Sequence, residues 1–198
     1  MKIDTAIILA GGKSSRMGFD KQLIKIKDQL IVDYLASQLK AHFSQIVVVT
    51  KTQDLYVDKG YTLTQDIYEN AGPLAGIHAG LLETKGQAAY VMACDMPYIN
   101  DAYITYIKKV FQKEKPAGLV AEIDGLVEPM AGIYSKNLLG AIEENLKNKD
   151  LKIKKLIEDQ DFIKIKKEKL LSLDKDLKLF QNYNYKADLE KLKDLKRG

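Results

Sequence analysis

The chain has 198 residues, 46% of them apolar and 29% charged, with a formal net charge of +4. That size and balance suit one domain spanning residues 1–198 with a sizeable core, and they exclude disordered, fibrous and disulfide-stapled classes. The one cysteine, Cys94, can make no internal disulfide and points to a reducing compartment. No apolar run approaches the roughly 18 residues of a membrane helix, and Asp4 precedes an apolar run too short for a secretory core, so a cytoplasmic protein without a membrane partner is expected.

Apolar and β-branched runs alternate with helical periodicities along the chain. Ala6–Ala10 reads as a buried strand, followed by a helix with Ile31, Tyr34, Leu35 and Leu39 on one face. Ile46–Thr50 and Tyr61–Thr64 are the next strands. Leu74, Ile77 and Leu81 then mark a helix opened by Gly72, with Pro73 suited to its first turn. Ala89–Ala93 is a strand, and Ile104, Ile107 and Phe111 line a helix for which Asp101 is the expected N-cap. Gly118–Glu122 and Met130–Tyr134 read as strands, and Leu138, Leu139, Ile142 and Leu146 as a helix. A short helix at Lys154–Asp159, a strand at Phe162–Lys166 and an amphipathic helix at Lys186–Lys196 complete the series. Such alternation predicts a three-layer α/β/α sandwich with a mostly parallel central sheet.

Charge is uneven. Residues 1–146 carry fifteen basic and seventeen acidic side chains, and residues 147–198 carry sixteen basic and ten acidic. Acidic residues are interspersed through the basic quarter and few aromatics accompany them, so a lysine-covered surface is expected there rather than a nucleic-acid site.

The strand ending at Ala10 empties into Gly11-Gly12-Lys13-Ser14-Ser15-Arg16-Met17-Gly18-Phe19-Asp20-Lys21. Glycines let backbone N–H groups approach an anion, and three cations within nine positions can neutralise one. This is neither a P-loop, which needs glycine where Ile7 stands, nor a dinucleotide fingerprint. In open α/β sheets ligands bind beyond the carboxyl ends of the strands, which places the loop, Thr50, Asp66 and Asp95 on one rim. Asp95 ends an apolar strand and supplies the oxygen donor that a divalent cation prefers. The two histidines, His42 and His78, fall at or within helices and form no triad, and Cys94 reads as a buried small residue rather than a nucleophile.

Taken residue by residue, Leu9-Ala10-Gly11-Gly12, Ser14, Arg16-Met17-Gly18 and Asp20-Lys21 resemble the signature of molybdenum cofactor guanylyltransferases, MobA-like members of the nucleotidyltransferase superfamily. Asp66 with Gly72-Pro73-Leu74-Ala75-Gly76, Cys94-Asp95-Met96-Pro97, Glu128-Pro129-Met130 and Asn182-Tyr183-Asn184 match in the same order. The resemblance implies a Rossmann-like nucleotidyltransferase fold and a reaction in which GTP and molybdopterin carrying molybdenum give the guanine dinucleotide cofactor and pyrophosphate. Related transferases using CTP or a sugar phosphate, and a non-enzymatic carrier of the cofactor, are the alternatives.

The resemblance also implies roles. Leu9, Ala10, Gly11, Gly12 and Ser14 would cradle the nucleotide, with Arg16 near the leaving β- and γ-phosphates and Lys21 near the α-phosphate. Lys13 stands at a position the family varies, and Asp20 would orient the loop. Thr50, where many relatives carry Asn, and Asp66 would lie near the base or ribose. Asp95 would hold Mg2+. Arg16, Lys21 and Asp95 would be the catalytic set. Gly72, Gly76, Glu128, Asn182 and Asn184 would face the acceptor, although Tyr185-Lys186 replace the usual Thr-Pro. Molybdoenzymes that accept the cofactor, or their chaperones, are the implied protein partners.

Overall fold

In the computed structural model, residues 3–11 and 21–183 are described. Gly12, Lys13, Ser14, Arg16, Asp20, Asn184 and the expected helix at Lys186–Lys196 lie outside the described residues.

Strand β1 (Thr5–Leu9) is buried at every position. It pairs in parallel with β4 (Gln45–Val49) on one side and β6 (Ala88–Ala93) on the other, with Leu9 opposite both Val49 and Ala93. β5 (Thr62–Thr64) extends the sheet beyond β4, and β8 (Leu126–Ser135), β7 (Gly118–Ile123) and β9 (Phe162–Lys166) extend it beyond β6. The order is β5-β4-β1-β6-β8-β7-β9, and β8 runs antiparallel to both its neighbours. The apolar runs are continuous because helices cover both faces. Ile8, Val48 and Tyr90 pack with α1 (Ile31–Leu39) and α3 (Asp101–Glu114) on one face. Ile7, Val47 and Val91 pack on the other with α2 (Gly72–Glu83), α4 (Leu139–Lys147) and α5 (Ile153–Asp159).

Several elements differ from expectation. A two-stranded hairpin, β2 (Lys25–Ile26) with β3 (Gln29–Leu30), precedes α1. Its turn residues Lys27 and Asp28 both have positive φ, at 50° and 62°, without the glycine that advertises such a turn. The last α-helix of the described residues, α6 (Lys167–Leu173), follows β9 directly. Asn100, not Asp101, caps α3: its side chain accepts the Tyr103 N–H at 2.9 Å, while Asp101 receives His42 Nε2 at 2.7 Å.

The strand expected at Met130–Tyr134 begins earlier, because Asp124 and Gly125 form a hairpin turn with φ of 52° and 78°. Register against β7 shifts between Leu119 and Ala121, and Ala131 takes a φ of 59°. Two buried tyrosines donate to carbonyls around this irregularity, Tyr134 to Pro129 O at 2.7 Å and Tyr103 to Ala131 O at 2.8 Å. A buried carbonyl without a donor would be costly, so these hydroxyls hold the distortion in place.

Glycines in α2 allow that helix to lie close on the sheet. A Cβ at Gly80 would stand 2.6 Å from Ile7 Cγ2, whereas one at Gly140 in α4 would meet nothing within 4 Å. Gly80→Ala is expected to destabilise the fold by about 1–3 kcal/mol through overpacking. Gly140→Ala should stabilise it by about 0.5–1 kcal/mol through helix propensity. Urea unfolding of the two variants beside the parent measures both.

Candidate active site

The carboxyl ends of β1, β4 and β6 converge because their last residues are in register and the chain continues the pairing one step further. Ala10 N–H donates to Val49 O at 2.9 Å, Thr50 N–H to Thr64 O at 2.9 Å and Cys94 N–H to Leu9 O at 3.0 Å. These bonds hold the four segments that leave the sheet side by side. They floor a cleft of about 760 Å³ that is walled by the start of α2 and by Met130 at the β8 irregularity.

Lys21 and Asp95 meet in this cleft, Nζ to Oδ2 at 2.6 Å, with about a fifth of each side chain exposed. Lys21 comes from the 3₁₀ turn Lys21–Leu23 and Asp95 from the turn after β6. The sequence assigned these two residues separate tasks; the structure makes them partners. Each neutralises the other at the place where a triphosphate would bring several negative charges.

Asp66 lines the same cleft beside Lys51. Burial holds its carboxyl above the ordinary carboxylate range, against the opposing pull of Lys51. Gly76 lies against both Asp66 and Leu9: a Cβ there would come within 3.0 Å of Leu9 Cδ2 and 3.5 Å of Asp66 Oδ1. Its packing role and its place in the cleft wall are therefore one constraint. Gly72 has a φ of 65°, a left-handed conformation that L side chains rarely adopt.

Gly11 does not use the left-handed region; a Cβ there would face Val49 O at an ordinary 3.8 Å. The missing side chain at Gly11 therefore leaves space in the cleft rather than relieving the backbone. Thr50 lines the cleft but is 1% exposed, and its hydroxyl donates to Gln22 Oε1 at 2.7 Å and accepts Thr52 N–H at 3.1 Å. Its hydroxyl is engaged inside the protein.

Glu128 and Asn182 are not among the residues that line the cleft. Glu128 is half-buried near Lys154, and burial raises its carboxyl above the usual range while Lys154 opposes the shift. Asn182 is exposed beside Tyr183, whose N–H donates to the Asp95 carbonyl at 2.9 Å and whose hydroxyl donates to Tyr98 at 2.8 Å. The C-terminal segment is thus tied to the turn that carries Asp95.

The donor set suits a hard divalent cation held between one carboxylate and a bound phosphate. Asp95 presents carboxylate oxygens beside open space, and among the described residues no three His, Cys, Asp or Glu side chains assemble into a protein cage.

The pattern of the MobA-like NTP transferase domain matches residues 6–164. A protein of Peptoclostridium acidaminophilum is 37% identical over 192 residues, covering 93% of this chain and 86% of that one. The chain belongs to the MobA-like NTP transferase family. It is a nucleotidyltransferase. The molybdenum cofactor guanylyltransferase of Syntrophotalea carbinolica is 34% identical over 191 residues, with 96% of this chain and 91% of that one covered. Molybdopterin-guanine dinucleotide biosynthesis protein A from Archaeoglobus fulgidus shares the fold, at a TM-score of 0.82 and 22% identity, over 96% of this chain and 97% of that one.

In this MobA-like domain the structure gathers Leu9, Ala10, Gly11, Lys21, Thr50, Asp66, Gly72, Gly76 and Asp95 around one cleft. Gln22, Lys51 and Thr52, which also line it, carry no sequence signal beyond adjacency to Lys21 or Thr50. The acidic residues have a stability consequence. Asp66 and Glu128 both titrate higher when folded, so each favours folding while protonated. That advantage is lost as pH rises through the folded value. Asp66→Asn and Glu128→Gln should therefore gain stability relative to the parent as pH rises from acid to neutral. Urea melts across that range check the sign.

Proposed function

We propose that the protein transfers GMP from GTP to the phosphate of molybdenum-bearing molybdopterin, releasing pyrophosphate. The observation that carries this reading is the Lys21–Asp95 pair in a cleft floored by β1, β4 and β6. Its relative in Syntrophotalea carbinolica, named for the same chemistry, aligns over nearly the whole chain.

An oxygen of the acceptor phosphate attacks the α-phosphorus of GTP. The bond from that phosphorus to the α,β-bridging oxygen breaks, and pyrophosphate leaves with the electron pair. The attacking group is already an oxyanion, so no side-chain base is required, in keeping with a cleft lined by neither histidine. The obstacle is charge repulsion, which fixed cations and positioning overcome. Lys21 binds the α-phosphate once its pairing to Asp95 is relaxed by the incoming nucleotide. Asp95 would hold Mg2+, which when bound neutralises phosphate charge. Arg16 grips the leaving phosphates in the same reading, with Gly12 and Ser14 donating to them.

Leu9, Ala10 and Gly11 form the floor for the nucleotide, and the space at Gly11 accepts a purine. Asp66 faces the base or ribose, with Thr50 shaping the rim. Gly72 and Gly76 bound the acceptor side, completed by Glu128, Asn182 and Asn184 around the pterin. The product passes to molybdoenzymes or their chaperones in the cytoplasm. Buried Cys94 suits that compartment, and among the described residues no helix is long and apolar enough to cross a membrane.

Pyrophosphate release with GTP, ATP, CTP and UTP, with and without the molybdopterin acceptor, tests the assignment. Release is expected only with GTP and acceptor together; a preference for CTP would overturn the guanylyl reading. Lys21→Ala should slow turnover by about 10²–10³. Asp95→Asn should do likewise while melting near the parent temperature, with added Mg2+ recovering part of the rate.

A further inference from the structure

Gln22 is 4% exposed, yet it follows directly on Lys21 in the cleft wall. Its side chain is spent on the opposite strand end. Oε1 accepts from the Thr50 hydroxyl at 2.7 Å and from the Tyr56 hydroxyl at 3.3 Å. Nε2 donates to Thr52 Oγ1 at 3.1 Å. Thr50 then accepts Thr52 N–H, which closes the network on itself. Tyr56 is 1% exposed and fixes the far side.

We propose that Gln22 is a positioning residue: its buried amide clamps the Lys21 turn to the end of β4 and so sets the Lys21 ammonium over Asp95. A buried amide loses several kcal/mol-scale hydrogen bonds together if it moves, so it is a stiff tie. Lys21 opens a short turn, Lys21–Leu23, in which Ile24 N–H donates to Lys21 O at 3.2 Å. The flexible lysine stem needs a fixed root to hold its charge in register with a reacting phosphate. Gln22 supplies that root from the strand end that also borders the nucleotide at Thr50, Lys51 and Thr52. The rim that receives the nucleotide and the cation that meets the phosphate are thereby one mechanical unit. The catalytic part of this role rests on the transfer reading above; the clamp itself does not.

Two measurements test it. In the free protein, acetylation of Lys21 by acetic anhydride is followed by peptide mass spectrometry, with exposed Lys25 as the internal reference. Gln22→Met, which keeps the length and removes the amide, should raise Lys21 reactivity several-fold relative to Lys25. Thr52→Val, at the exposed end of the network, removes the hydroxyl that meets Gln22 Nε2 and the Thr50 hydroxyl but leaves the bonds to Gln22 Oε1, and should raise it less, in a protein that melts like the parent. An unchanged ratio in Thr52→Val and in folded Gln22→Met overturns the clamp. In the kinetic measurement, Gln22→Met should lower kcat by about 10–10²-fold, with a smaller change in the KM for GTP. Adding Lys21→Ala to Gln22→Met should then cost far less than Lys21→Ala costs alone. Additive losses would show that Gln22 acts only on stability and overturn its positioning role. Should no nucleoside triphosphate support pyrophosphate release by the parent, the transfer reading fails, and the acetylation ratio still decides the clamp.

Discussion

Everything in the site depends on the central strand β1 being paired on both edges. Thr5–Leu9 is buried on both faces, and its parallel ladders to β4 and β6 end at the same level, at Leu9, Val49 and Ala93. Parallel strands point their carboxyl ends the same way, so three chain segments must leave the sheet together. Ala10, the Thr50–Thr52 segment and the Asp95 turn are neighbours for that reason.

The polar chemistry built on this rim is organised in two linked pairs. Lys21 and Asp95 hold opposite charge at a direct 2.6 Å contact, and Gln22 and Thr50 join the adjacent backbone segments through a buried bond of 2.7 Å. The first pair is partly exposed and available to a ligand. The second is almost wholly enclosed, with Gln22 4% and Thr50 1% exposed. A polar bond is worth little at a surface and much when its loss would strand a buried amide. The enclosed pair is therefore the structural member, and the partly exposed pair is the one with open space beside it.

The cleft wall at β8 is built differently. It leans on the irregular β8, where Ala131 adopts a left-handed conformation and two tyrosine hydroxyls satisfy the displaced carbonyls. Backbone in a sparsely populated region persists only where its surroundings over-determine it. Met130, at this irregularity, completes the cleft wall. The Tyr183 N–H bond to the Asp95 carbonyl brings the end of the described chain to the same turn.

Much of this was legible in the sequence, because apolar runs and helical periodicity report burial directly. The strands around Ile7, Val48 and Val91 and the helices after them are where periodicity places them, and the rim follows from the rule for parallel sheets. The motif residues Lys21, Asp66 and Asp95, whose types suit phosphate and metal chemistry, come together in one cleft. What only the tertiary structure decided were the partnerships. Lys27-Asp28 turns a hairpin without glycine, Asn100 displaces Asp101 as the cap, and Gln22 disappears into the interior to hold Thr50. A polar side chain in a sequence carries no mark of whether its partner lies 28 residues away or is water. Local pattern determines which elements form, but hydrogen bonds between distant residues exist only once packing has brought those elements together.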